Sequence, residues 1–210
     1  MPRTILAILA IGAAARLWGY ATAGPLWLDE LFIDHNLDVL TFAGLLGPLL
    51  DGQNAPVGWL WLTKALRSGW GDYEAILRLP ALLASLGSLP LAYAVARRAV
   101  GERAAAIPAL LVAWSPFAVW QSFQLKPYAV DLALALLLLW LAQRAVDPGR
   151  RPGRRPWLAL AGAGAAATWL SLPAIFVLAG VGAVLALDAL RRPGPGRIAT
   201  CVTLGAAWLS

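Results

Sequence analysis

Charge is what this chain lacks most. Only 13% of its 210 residues are charged and 60% are hydrophobic, where an ordinary soluble domain carries about 25% and about 45–50%. That scarcity excludes a soluble globular domain, a disordered chain and a nucleic-acid binder. Cysteine is scarcer still. Cys201 stands alone, so no internal disulfide forms, and its apolar setting reads as that of a small buried hydrophobe. His35 is the one histidine, and no HExxH or CxxC pattern accompanies it. No metal site and no cofactor is predicted on those grounds, and a divalent-metal requirement stays open. Acidic residues are outnumbered 11 to 17, for a net charge of +6. In a membrane protein such an excess collects in cytoplasmic loops.

What the chain has in quantity is apolar runs, several of them near the roughly 20 residues that cross a hydrocarbon layer. The first covers residues 4–24 and contains Arg16. Ala21-Thr22-Ala23 has the look of a signal-peptidase site, but Arg16 and the many later spans favour an uncleaved first helix. Further spans are predicted at 76–96, 104–120, 128–143, 157–170 and 173–190. The run 198–210 gives roughly 20 Å of helix, short of a full span. It reads as a truncated seventh, as in the N-terminal part of a longer protein or a short natural one. The fold class expected is therefore an all-α polytopic membrane bundle in a single transmembrane domain.

Between the first two spans lies a mixed stretch, 25–75, holding seven of the eleven acids. Its apolar pieces 37–50 and 56–67 would reach only roughly 18–21 Å as helices, and both are predicted to lie at the membrane interface. With the N-terminus in the cytoplasm, 12 of the 17 basic residues fall in cytoplasmic segments, chiefly Arg97, Arg98, Arg103, the run 144–156, and Arg191, Arg192 and Arg197. The opposite orientation would translocate them all, against the positive-inside rule. The 25–75 loop is then external.

Three polar places gather on that external side. Asp29, Glu30, Asp34 and His35 follow the first helix; such acids serve as a general base, or simply open a hydrated loop. Asp51, Gln53, Asn54 and Pro56 form the second, suited to sugar hydroxyls or to helix capping. The third runs from Ser115-Pro116 through Gln124, Lys126 and Tyr128 to Asp131. Lys126 as a point charge beside a Tyr128 donor suits a phosphate; equally, both anchor a hairpin at the interface. Arg16 is expected to snorkel or to pair with an acid such as Asp29.

Taken in order, these segments resemble the N-terminal half of bacterial GT-C glycosyltransferases, the group of protein mannosyltransferases and lipid A aminoarabinose transferases. Asp29-Glu30 resembles the family's Asp-Glu motif. Gln53-Asn-Ala-Pro56-Val-Gly resembles its proline segment, Glu74 to Arg78-Leu-Pro80 with Arg97-Arg98 its E-x3-R-L-P … R-R span, and Ser115-Pro116 through Tyr128 its S-P … E-x-R/K-x-Y turn. Trp169-Leu-Ser171-Leu-Pro173 is similar to its fifth-to-sixth helix turn. Two positions depart from the pattern: Gln124 stands where the Glu is usual, and Ala55-Pro56 where a doubled proline or Lys-Pro is common.

The resemblance implies a GT-C-like bundle in the bacterial inner membrane. It implies transfer of a sugar from a polyprenyl-phosphate donor to a glycan, lipid or protein acceptor on the periplasmic face. By the same likeness Asp29 and Glu30 are catalytic, Lys126, Arg78 and Tyr128 bind the donor phosphate, and Asp34, His35, Gln53, Asn54 and Gln124 bind substrate. Two other classes compete. A non-enzymatic scaffold would suit a short chain. A transporter would place its polar residues at mid-membrane and in inverted repeats, neither of which the sequence displays.

Overall fold

The computed structural model describes residues 2–70, 73–146, 154–191 and 197–209. Every regular element among them is helical. Four helices are long and apolar enough to cross a membrane: α1 (Arg3–Ala21), α4 (Glu74–Ala104), α7 (Tyr128–Ala145) and α9 (Ala174–Arg191). Between α1 and α4 stand α2 (Leu28–Val39) and α3 (Val57–Trp70); α8 (Arg154–Leu170) and α10 (Arg197–Leu209) complete the set with the pair described next. Central to the bundle is α4, packed against α1 and α7. Outward faces stay apolar, with Phe176 80% exposed, as surfaces solvated by lipid require.

The span predicted at 104–120 is not straight. It breaks into α5 (Ala106–Trp114) and α6 (Pro116–Trp120), bent by 53°. Counting that pair as one span gives five by length and composition, against the six full spans predicted. Pro116 explains the break. It has no N–H to offer the Val112 carbonyl, and its ring clashes with the preceding turn. Ser115 takes the N-cap of α6, its hydroxyl accepting from the Ala118 N–H at 3.2 Å.

The carbonyls freed at that break are met by Arg16. Its guanidinium is fully buried and donates to Val112 O at 2.9 Å, Ala113 O at 3.0 Å, Gly12 O at 2.9 Å and Ser85 Oγ at 2.7 Å. The expected pairing of Arg16 with Asp29 is therefore replaced: orphan carbonyls at a helix C-terminus carry partial negative charge and take the cation instead.

The apolar piece 37–50 is also corrected. It is no single helix, because α2 ends at Val39 and the chain then passes through short 3-10 turns at Gly44–Leu46 and Leu50–Gly52. Gly44, Gly47 and Pro48 oppose a helix there. The helix instead starts upstream at Leu28, with Asp29 and Glu30 in its first turn, where acids complement the helix dipole. The piece 56–67 does fold as α3. Arg67 reaches Asp34 at 2.9 Å and Asp38 at 3.1 Å, and Lys64 donates to Leu37 O at 2.6 Å, which straps α3 to α2. Ile33, Leu37, Trp59, Leu60, Leu77 and Leu125 form an apolar cluster beneath this pair and seat it on the bundle. Much of the predicted basic loop, at 147–153, lies outside the described residues, as do Asp72 and Arg192.

Candidate functional site

Successive helical residues point about 100° apart, so Asp29 and Glu30 at the start of α2 serve different surroundings. Glu30 turns inward and is fully buried. Arg78 of α4 holds it with Nη2–Oε2 at 2.7 Å and Nε–Oε1 at 3.1 Å. The Leu125 N–H donates to Oε1 at 2.5 Å and the Trp27 N–H to Oε2 at 3.3 Å. A buried carboxylate this well satisfied has little capacity left for a ligand. The remaining Arg78 donors go to Gly24 O at 2.8 Å and Pro25 O at 3.5 Å.

Asp29 turns outward, its side chain 40% exposed. Lys126 Nζ stands 2.8 Å from Asp29 Oδ2 and donates to Gln53 Oε1 at 3.1 Å. Gln53 Nε2 closes the triangle on Asp29 Oδ1 at 3.4 Å. Three segments thus meet: the first turn of α2, the loop after Leu50–Gly52, and the link between α6 and α7. Backbone shape brings the second one in, since Asp51 and Gly52 take φ of +56° and +65°, a left-handed turn that few residues adopt without cost.

The triangle edges a cleft of about 410 Å³ lined also by Asn54, Tyr128, Asp131, Leu172 and Pro173. Leu172 and Pro173 come from the turn between α8 and α9, so the similarity noted there meets the same site. Asp131, which in the sequence only closes the third polar place and carries no assigned role, is part of this lining. Its Oδ1 is buried with no hydrogen-bond partner among the described residues. The signal was present: Asp131 follows Tyr128 by three positions, hence on one helical face, in an otherwise apolar span. A second, more apolar cleft of about 440 Å³ adjoins, sharing Gln53, Asn54, Pro56 and Leu172 and walled by Leu45, Leu49, Leu60 and Trp169.

Of the residues given a catalytic or binding role from the sequence, Asp29, Gln53, Asn54, Lys126 and Tyr128 line this cleft. The others do not. Asp34 is bound to Arg67 on the far side of α2, and His35 Nδ1 lies 2.9 Å from Asp51 Oδ2, bracing the left-handed turn. Gln124 Oε1 accepts from the Trp27 indole N–H at 2.7 Å, fixing the residue that precedes α2. Glu30 and Arg78 form the buried pair behind the wall. No three His, Cys, Asp or Glu side chains cluster as a metal site among the described residues.

Chemically, the cleft offers a carboxylate open to solvent, a cation with little exposure, amide groups and a second carboxylate oxygen with an unused acceptor. Residues 54–207 match the family model described as dolichyl-phosphate-mannose-protein mannosyltransferase. Asn54, Arg78, Lys126, Tyr128 and Asp131 lie inside the matched segment; Asp29, Glu30 and Gln53 precede it. No curated protein matches the chain.

Proposed function

The chain belongs to the dolichyl-phosphate-mannose-protein mannosyltransferase family, and from that premise we propose that it transfers a sugar from a polyprenyl-phosphate donor to an acceptor hydroxyl. The reaction takes place at the Asp29–Lys126–Gln53 cleft, on the external face of a multi-pass membrane protein with a cytoplasmic N-terminus and six full spans, in the bacterial inner membrane. The observation that carries the reading is the 2.8 Å contact between Lys126 Nζ and the Asp29 carboxylate at the mouth of a sugar-sized cleft.

Without donor, the lysine is held by the aspartate. A donor phosphate competes for Lys126 as a stronger anionic partner, and its arrival frees Asp29. The acceptor oxygen then attacks the anomeric carbon while its proton passes to the Asp29 carboxylate. The bond from that carbon to the phosphate oxygen breaks, and polyprenyl phosphate leaves with its charge neutralised by Lys126. Gln53 and Asn54 bind sugar hydroxyls, Tyr128 supplies a further donor to the phosphate, and Asp131 Oδ1 accepts from the sugar. Glu30 and Arg78 hold the wall rather than react.

The test is turnover of polyprenyl-phosphate-mannose by the purified protein. Asp29→Asn lowers kcat by roughly 10²–10⁴-fold with melting unchanged, and Lys126→Ala raises KM for the donor. Full turnover in Asp29→Asn overturns the assignment of the base.

A further inference from the structure

At the end of α4 and α7 remote from the cleft, two arginines are built alike. Arg97 lies over the ring of Tyr93, 5.8 Å from its centroid, and Arg144 over the ring of Trp140, at 4.6 Å. Each arginine follows its aromatic by four positions, so each guanidinium stands one turn nearer the helix end. The helices pack against one another. At this end they are cross-linked by Gln143 Nε2 donating to Val95 O at 3.2 Å and Arg98 Nη2 to Gln143 O at 3.4 Å. The two arginines therefore sit on neighbouring, clamped helices.

A guanidinium held over a ring as a cation keeps N–H donors for an anion. Both side chains are exposed, and neither pairs with a carboxylate among the described residues. Glu102, an acid at this end, accepts from the Tyr93 hydroxyl at 3.4 Å. Arg103 adds a further exposed cation. From Arg78 to Arg97 the helix rises roughly 28 Å, close to the roughly 30 Å of a hydrocarbon core. With the cleft at one headgroup layer, the two arginines stand at the other, where basic residues meet lipid phosphates, Tyr93 being buried behind Arg97 in the bundle.

We propose that this paired aromatic–arginine end binds the phosphate of an anionic phospholipid headgroup. The inference needs the membrane reading above but not the transfer reaction. Zwitterionic lipid is disfavoured because it brings its own cation to a surface already basic.

The experiment is native mass spectrometry of the detergent-purified full chain titrated with phosphatidylglycerol or phosphatidylcholine. Wild type is expected to retain phosphatidylglycerol in preference. That preference falls roughly 5-fold for each arginine removed in Arg97→Gln, Arg144→Gln and the double variant, with melting unchanged. Equal preference in wild type and a folded double variant overturns the proposal. Should the double variant not fold, an unchanged preference in the Arg144→Gln single variant overturns it equally. Displacement of the lipid by millimolar inorganic phosphate assigns the site to free phosphate and overturns the lipid.

Discussion

Asp29 and Glu30 are neighbours in sequence with different surroundings, and the difference is set by burial. Glu30 bonds the Leu125 N–H, and Lys126 is the next residue along; Arg78 fixes Glu30 in turn. One carboxylate thereby sets the spacing between the Asp29 carboxylate on its own helix and a cation 97 positions away. Glu30→Gln leaves Arg78 as an unpaired buried charge, which costs about 3–5 kcal/mol. A lowered melting temperature is expected, recovered in part by the double variant Glu30→Gln/Arg78→Met; equal melting of wild type and Glu30→Gln would show that the pair does not hold the wall. Asp131→Asn is the opposite case, since one oxygen is already without a partner. Melting should be nearly unchanged while donor KM rises roughly 10-fold or more, the worth of a hydrogen bond to a charged group. At this scale the sequence named several residues that line the cleft but not the partners they meet. Lys126 read as a phosphate cation and Asp29 as a base, but a contact across 97 positions has no local signature.

Among the elements, the bend between α5 and α6 was half legible. Ser115-Pro116 is visible as an N-cap followed by proline, a signal for a helix start. The apolar composition on both sides nevertheless reads as one span, because hydropathy carries no information about axis direction. The reason Arg16 lies inside α1 was hidden for the same cause: its partners are backbone carbonyls, which every sequence contains. Pro116→Ala restores an N–H to Val112 O and removes the ring clash, so the break loses its cause. The segment 121–126 then shifts away from Asp29. Expected outcomes are a melting temperature at or above that of wild type and a loss of donor affinity, read by lipid-phosphate titration. Arg16→Met, which leaves the Val112 and Ala113 carbonyls unmet, should instead lower stability by about 1–3 kcal/mol for each orphaned group. Equal donor affinity in Pro116→Ala and wild type would detach the bend from the site.

Across the whole molecule, polarity is divided between two ends. Asp29, Gln53, Lys126 and the strap between α2 and α3 lie at one end of α4 and α7; Arg97, Arg98, Arg103 and Arg144 lie at the other, with lipid-compatible surface between. This division was the most legible property of the sequence, since it follows from composition and loop charge alone. Helix count was less legible, because a bent span and a 17-residue α8 fall near the length threshold. The proposed orientation rests on the basic end. Translocating Arg97, Arg98, Arg103 and Arg144 would carry four cations through the hydrocarbon, whereas retaining them in the cytoplasm obeys the positive-inside rule. In a Cys201→Ser background, which removes the one native thiol, Leu46→Cys and Val146→Cys place single exposed thiols at the two ends. A membrane-impermeant maleimide applied to intact cells should label position 46, with position 146 reacting only after permeabilisation. The reverse pattern would put the Asp29 cleft in the cytoplasm, where a periplasmic acceptor never meets it.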